Sequence, residues 1–588
     1  MSNVIEMPVQ VDVVEAFRRE QAKKDKAAEW LANASTEEVQ EFQAFQAQKA
    51  ERERAEQAAR ETASREAEAA RQAAAQTKGG RQESQADQLI RMAAARYEFG
   101  NSNDGDQYAV PREGFGPRIA RLVRGGRISL RAELAKLYFE AHGKAASSSA
   151  LADAMLAIEG HSQSTDPVPL HLRVGPLGKR PEHGFVLDLG RSDGQVVTVT
   201  SSGWKVGPAA AGQPLFRRSQ LTQPLPIPQQ GGRLQELRGL LNVTDESWPL
   251  LVSWLVAGLL PGIPHQVLFL SGEQGTAKST ATKMLVQLID PSAAPARSTP
   301  KDQDDWATAA VGSWVVGLDN LSRIPEWLSD AICRAATGDA NVKRTLYSDS
   351  DVTVQQFRRV VIFNGIDVGA LRGDLADRMI PVHLHRITKR RTETALWEAY
   401  DEAQPRILGA LLNLVVKMLG ELGNIREQAD NEEIELPRMA DQGLVMASLD
   451  SIIGTSSGIL RSYMEERREL AEEVVESDQV AMTLMRMVKE EPPVDGAHEW
   501  EGSTQELLDK LSGMLPGMLP ESWPRTPNHL SRRINRAASD LDKLGVDITR
   551  GKKNAVRWTR VRYVPRVQEN KDQNPPPPPT GVQGQLVE

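Results

Sequence analysis

Three short apolar runs, Val267-Leu268-Phe269-Leu270, Trp314-Val315-Val316-Gly317-Leu318 and Val360-Val361-Ile362-Phe363, each break off at a polar residue (Ser271, Asp319, Asn364). Continuous rather than alternating apolar positions are the pattern of strands buried on both faces. A helix to Ile289 is expected after the first run, and Leu234–Leu260 and roughly Thr392–Glu473 read as helical. Ser129 caps an expected helix to about His142, and Ser147–Ser149 precede another reaching Ile158. Val186–Leu189 and Val196–Thr200 flank Ser192-Asp193-Gly194, which predicts a β-hairpin. Near the C-terminus Leu530, Ile534, Ala537, Leu541 and Leu544 fall at 4-3-4-3 spacing, the single buried stripe of a helix. Thr526-Pro527 opens that helix and Gly545 closes it. Two strands, Val546–Arg550 and Ala555–Tyr563, are expected next, joined by Gly551-Lys552-Lys553-Asn554.

The chain of 588 residues exceeds one core, and its pattern divides it into six segments. Residues 1–86 are a low-complexity arm rich in Ala, Glu, Gln and Arg, either a partner arm or a solvated helix, because no heptad stripe persists. Residues 87–232 read as an α+β accessory unit, closed by a Pro-spaced linker (Pro224, Pro226, Pro228). Residues 233–391 hold the α/β core with its preceding helices, 392–500 a helical region, 501–566 a last folded unit and 567–588 a Pro-rich tail. Asp188 and Asp193 could suggest a metal pair, but Asp193 sits in ordinary turn chemistry. The most apolar stretch, Trp248–Pro264, is stopped by Pro261 and Pro264 short of the ~20 residues that a membrane span needs. No membrane partner is expected. A single cysteine, Cys333, and a start without a basic-then-apolar signal pattern point to the bacterial cytoplasm, with a nucleoid association if DNA is bound.

The first apolar run leads into Gly272-Glu273-Gln274-Gly275-Thr276-Ala277-Lys278-Ser279 and a helix, the strand–loop–helix setting of a Walker A motif. Its glycines let backbone N–H groups turn around phosphates at the positive end of a helix. Lys278 would reach the β- and γ-phosphates and Ser279 would ligate Mg²⁺; Thr280 closes the cofactor-binding stretch. Ala277 replaces the usual glycine, tolerable if that residue has helical dihedrals. Asp319 ends the second run as a Walker B acid that holds Mg²⁺. Asn320 stands where many ATPases carry a glutamate, so the base must be Asp319 or another carboxylate, Glu326 being one candidate. Asn364 could orient the attacking water, and Arg378 could act as an arginine finger on a neighbouring subunit.

This ordered set, with Thr337-Gly338-Asp339 and Lys343-Arg344-Thr345-Leu346-Tyr347 between, resembles the superfamily 3 helicases, closest to the poxvirus and phage primase-helicase group of viruses and mobile elements. The resemblance covers about Gln266–Ile387. It implies a multidomain α/β protein with a P-loop AAA+-type core, helical flanks, ATP sites between subunits of a hexameric homo-oligomer, other replication proteins as partners, and unwinding of DNA. It also implies a hairpin over about Val342–Phe357, with Lys343 and Arg344 at its base, that grips DNA. Ser348-Asp349-Ser350-Asp351 near the tip is acidic and would repel phosphate, which favours a rival reading as a DNA-bound ATPase that regulates without unwinding.

Charge changes the picture of the last unit. From Arg525 to Arg566 there are twelve Lys/Arg against three Asp/Glu, a net charge of about +9 in a chain of net charge -8. Arg532, Arg533, Arg536 and Lys543 on the helix, with Lys552 and Lys553 on the following turn, are the expected DNA contacts of a winged helix.

Overall fold

A computed structural model describes residues 83–125, 129–344, 352–365, 373–388, 390–454, 458–553 and 556–565; for 339–344, 352–356, 473, 552–553 and 556–557 only the backbone is described. The arm before 83, the acidic hairpin tip and the Pro-rich tail lie outside the described residues. Gln85–Glu588 forms one compact unit.

At its start, helix α1 (Gln85–Arg96), the hairpin β1 (Tyr97–Ser102) and β2 (Gln107–Pro111), and helices α2 (Leu130–His142) and α3 (Ser148–Ser162) enclose a small core. Ser147 caps α3 by accepting from the Ala150 N–H, whereas Ser129, in the same position before α2, makes no side-chain cap. An antiparallel meander follows: β3 (Val174–Pro176), β4 (Phe185–Asp188), β5 (Gln195–Thr200) and β6 (Gly203–Pro208). The expected hairpin is β4–β5, turned by Gly194 at φ +69°. Asp188 and Asp193 do not meet: Asp188 is buried against Arg218, and Asp193 accepts from Arg191 and the Gln195 N–H.

The expected boundary at 232 is not where the packing divides. Val174, Phe185, Leu187, Val197 and Val199 of the meander share one continuous core with helix α4 (Trp248–Gly258) and with the parallel sheet beyond it. The Pro-spaced stretch is held too, since the Leu225 N–H donates to Leu189 O and the Gln229 N–H to Pro405 O. Arg173, wholly buried, donates to Asp290 Oδ1 (2.8 Å), Asp188 O and Gln223 O. A buried guanidinium needs such partners, and they tie the meander to the sheet.

That sheet is all parallel. It comprises β7 (Val267–Ser271), β8 (Val315–Leu321), β11 (Val360–Gly365) and β12 (Met379–His383) in the order β8-β11-β7-β12. Helices α5 (Lys278–Ile289), α6 (Gln303–Gly312) and α7 (Glu326–Thr337) cover it, and a hairpin of β9 (Asp339–Arg344) with β10 (Val352–Phe357) stands between α7 and β11. A short helix α8 (Gly373–Ala376) leads into β12.

The helical region is α9 (Glu393–Asp430), α10 (Ala440–Ile453) and α11 (Ile459–Ser477). Among the described residues α9 is the one helix long and apolar enough to cross a membrane; half of that apolar window is buried, and Ile407, Leu411, Val415 and Leu422 sit in the core. α4 is eleven residues long and buried at all but Pro249; the helix expected over Leu234–Leu260 is instead two, a short one at Leu234–Arg238 and α4.

The last unit begins earlier than residue 501. Helix α12 (Gln479–Glu490) and the strands β13 (Pro493–Val494) and β14 (Ala497–Gly502) belong to it, with α13 (Thr504–Gly513), α14 (Pro527–Lys543), β15 (Val546–Lys553) and β16 (Val556–Tyr563). Val480, Leu484 and Met487 pack with Leu530, Ile534 and Leu541 in one core, and β14 pairs with β16. The charged sequence before Glu501 reads as a linker, but Asp478 caps α12 and the apolar stripe of that helix finds its partner only in the folded unit.

His265 lies between α4 and β7, edge-on to Trp314 at 5.3 Å. Burial, aided by the Arg358 and Arg359 charges, pushes its pKa from 6.5 down to about 3. Such a histidine stays neutral when folded but takes a proton when unfolded, so the native state loses stability as pH falls below 6.5. Between pH 6.5 and about 5, His265 should steepen the decline in unfolding free energy by up to about 1.4 kcal/mol per pH unit. Replacement His265→Phe keeps the packing on Trp314 and should remove that slope in denaturant titrations across pH; identical slopes in the two proteins would contradict it.

Candidate nucleotide site

Ser271 ends β7, and the chain turns at Gly272 (φ +148°) and Gly275 (φ +88°) before α5 begins at Lys278. A Cβ on Gly272 would stand 2.9 Å from Leu384 O, so the loop's close approach to the strand end needs glycine there. A Cβ on Gly275 would meet only the Arg390 guanidinium, at 3.9 Å, which leaves the inner side of the loop open. Thr276 is buried and its hydroxyl donates to Glu273 O, closing the turn at 3.0 Å. Lys278 Nζ donates to Gly272 O (2.5 Å) and Glu273 O (2.9 Å), and partial burial lowers its pKa. Gln274, Ser279 and Thr280 complete the loop and the first turn of α5. Ala277 departs from expectation. It is left-handed (φ +62°, ψ +33°), not helical, a conformation that costs an L-residue about 1 kcal/mol and glycine nothing.

Asp319 and Asn320 lie at the C-terminal edge of the same sheet, one strand away from the loop strand. Pairing of β8 with β11 shifts between Leu318↔Phe363 and Leu321↔Gly365, so two residues, Asp319 and Asn320, bulge opposite Asn364. Asn320 takes up the bulge at φ +56°, a region that asparagine tolerates better than most residues. Asn364, on the intervening strand and 1% exposed, donates to Asp319 Oδ1 (2.8 Å) and Thr282 Oγ1 (2.9 Å) and accepts from the Asn320 N–H (3.0 Å). Its amide is therefore spent on orienting Asp319 and tying β8 to α5, rather than held free for a water. Asp319 is half-buried and makes no ion pair with a described residue.

Arg378 lies elsewhere. It precedes β12, whose Met379 pairs with Val267 at the start of β7, so it stands at the end of the sheet opposite the loop. Five residues of strand, roughly 16 Å, separate the two. Arg378 donates to Asp374 O (2.8 Å) and is ion-paired with the Asp374 carboxylate, whose pKa falls despite burial because of Arg378. Glu326, exposed at the start of α7, faces Arg536 at 3.8 Å. Arg390, in the connection from β12 to α9, reaches the loop from the same chain and was not foreseen; only the fold back of the chain after β12 brings it there.

The expected DNA contacts divide sharply. Lys543 is a correction: it is ion-paired with Asp377 and with Asp540 (2.8 Å), its side chain largely buried, so it faces the α/β core and not solvent. Arg533 pairs with Asp478 at 2.9 Å and is half-buried. Arg532 is exposed without an ion pair to a described residue, and Arg536 is mostly exposed beside Glu326. The side chains of Lys343, Arg344, Lys552 and Lys553 lie outside the described residues; their backbones run in β9 and β15.

Two segments of the chain are similar to models of a mobile-element replication family. Residues 234–472 match the family model described as actinomycete integrative conjugative element replication protein, and residues 480–574 match the AICE RepA C-terminal domain. The second match begins where α12 begins, as the packing of that unit does. No curated protein matches the chain. Among solved structures, the apo C-terminal region of NrS-1 (305–718) is similar at 12% identity and a TM-score of 0.34, over 82% of this chain and 100% of that one. JCV helicase bound to a substituted acetamide is similar at 12% identity and a TM-score of 0.19, over 39% of this chain and 73% of that one.

The left-handed Ala277 yields a direct expectation. Ala277→Gly should raise the unfolding free energy by about 0.5 kcal/mol, the relieved backbone cost less the greater chain entropy of glycine when unfolded. Denaturant unfolding of the two proteins checks it, and a loss of stability would count against the left-handed assignment.

Proposed function

We propose that the protein is an ATP-hydrolysing motor of superfamily 3 type that moves on or unwinds DNA when the element replicates. The observation that carries the reading is the juxtaposition of the 272–279 loop and Asp319 along one sheet edge, with Asn364 between them holding the carboxylate in place. Phosphates would lie against the N–H groups at the start of α5, where helix dipole and open loop favour an anion. Lys278 would exchange its two loop carbonyls for phosphate oxygens. Ser279 and Asp319 would hold Mg²⁺: a half-buried carboxylate with no cation among the described residues lies at the same sheet edge as the helix that opens with the Ser279 hydroxyl. When bound, the metal ion neutralises charge on the phosphates. Asn320 has no basic group, so Asp319 or another carboxylate would receive the proton from water. Arg378 is too far from its own loop to act there, which supports action on the next subunit of a ring.

Lys278→Ala should abolish ATP turnover while leaving the cooperative unfolding transition in place. Turnover unchanged by that substitution would remove the nucleotide reading, and a strand-displacement assay separates a helicase from a DNA-bound regulator.

For DNA, the C-terminal unit offers the exposed Arg532 and Arg536 of α14, with Lys552 and Lys553 at the end of β15. Arg532→Ala should lower the slope of log K against log salt by roughly one unit in duplex titrations, the mark of a lost phosphate contact. Lys543→Ala should leave that slope unchanged, because its ammonium is committed to Asp377. An equal fall with both variants would return Lys543 to the DNA surface.

A further inference from the structure

Asp377 is the residue before Arg378, and its carboxylate is almost wholly buried (1% exposed) where four segments meet. Arg467 of α11 reaches Oδ1 at 3.2 Å and Arg438, in the connection before α10, reaches Oδ2 at 3.1 Å. Two groups come from the C-terminal unit: Ser539 donates to Oδ2 at 2.6 Å, and Lys543 is ion-paired with Oδ1. Burial alone would raise the Asp377 pKa; Lys543, Ser539 and Arg467 hold it below the ordinary carboxylate value. Arg438 also contacts Asp374 at 3.2 Å, and Asp374 is the carboxylate that holds the Arg378 guanidinium. A continuous line of charged contacts thus runs from α14 through Asp377, Arg438 and Asp374 to Arg378. Another cation on Asp377 would not serve the same end, because Arg438 and Arg467 come from the helical region, whereas Lys543 and Ser539 come from the unit expected to meet DNA.

We propose that Lys543 and Ser539 are positioning residues for Arg378: docking of the C-terminal unit on Asp377 fixes the segment Asp374–Arg378, and so sets ATP turnover at the neighbouring subunit. This rests on the reading of Arg378 as the arginine that acts across the subunit interface. Removing Lys543 leaves Asp377 with two arginines but takes from buried Asp540 its ion pair, so Lys543→Ala is read beside Ser539→Ala, which keeps every ion pair; in both, Arg438 is drawn toward Asp377 and away from Asp374. The reacting groups around the loop are untouched, so the loss falls on turnover and not on ATP binding.

The test uses the full chain with Lys543→Ala, Ser539→Ala and Lys543→Arg, beside Met518→Ala as a control at an exposed residue of the same unit. Misplacement of a group that acts only in the transition state predicts a kcat lower by roughly tenfold or more for Lys543→Ala, with KM for ATP within about twofold of the parent. Ser539→Ala should fall in the same direction by less, Lys543→Arg should recover most of the rate, and Met518→Ala should not change it. Unchanged kcat in Lys543→Ala, or a loss confined to KM, overturns the proposal. Hydrogen exchange supplies a readout that needs no ATP hydrolysis: amides of Asp374–Arg378 should exchange faster in Lys543→Ala than in the parent. If the parent lacks ATP turnover, the nucleotide reading fails while exchange still decides the coupling; equal exchange there overturns it.

Discussion

Much of the architecture hangs on the carboxylate of Asp290. It ends the helix that begins at Lys278, takes the Arg173 guanidinium on one oxygen, and on the other accepts the N–H groups of Trp314 (2.7 Å) and Val315 (3.0 Å). One side chain thus joins the meander, the far end of α5 and the first residues of the strand that carries Asp319. Two charges this deep are tolerable only because nearly every lone pair and proton is matched; losing one partner of such a pair typically costs about 3–5 kcal/mol. The distance between the loop and Asp319 is therefore set from the opposite end of both elements, where no ligand intervenes.

At the ligand end the backbone is held in unusual conformations by its neighbours. Left-handed Ala277 and Asn320 flank the two halves of the candidate site, one at the start of α5 and one in the bulge of β8. Residues kept in sparsely populated conformations persist where surrounding contacts over-determine them. Here those contacts are the Asn364 amide and the buried Thr276 and Thr282 hydroxyls. The site is preorganised by uncharged hydrogen bonds, which leaves the Asp319 charge available.

The C-terminal unit is not an appendage. Its helix α14 turns its apolar stripe into its own core, its N-terminal half toward solvent, and its last two turns onto Asp377. A helix that is basic along its length is consequently split: some cations hold the protein together while others stay exposed. Net charge alone does not separate these roles, since Lys543 and Arg532 contribute equally to it.

Much of the secondary structure and the order of the chemical groups was legible from local pattern. The apolar runs of β7, β8 and β11 stop at Ser271, Asp319 and Asn364, where the strands reach the sheet edge and polar side chains find partners, and the α14 stripe is complete in its spacing. Such signals depend on neighbours within a few residues, which the sequence contains in full. Other features depend on partners far along the chain. Only the folded structure decided that the meander shares a core with the sheet, that the last unit starts at α12, that Arg390 reaches the loop, and that Lys543 faces Asp377, 166 positions earlier in the 588-residue chain. Periodicity tells which face of an element is apolar, but the fate of a charge depends on whether packing brings an opposite charge within reach.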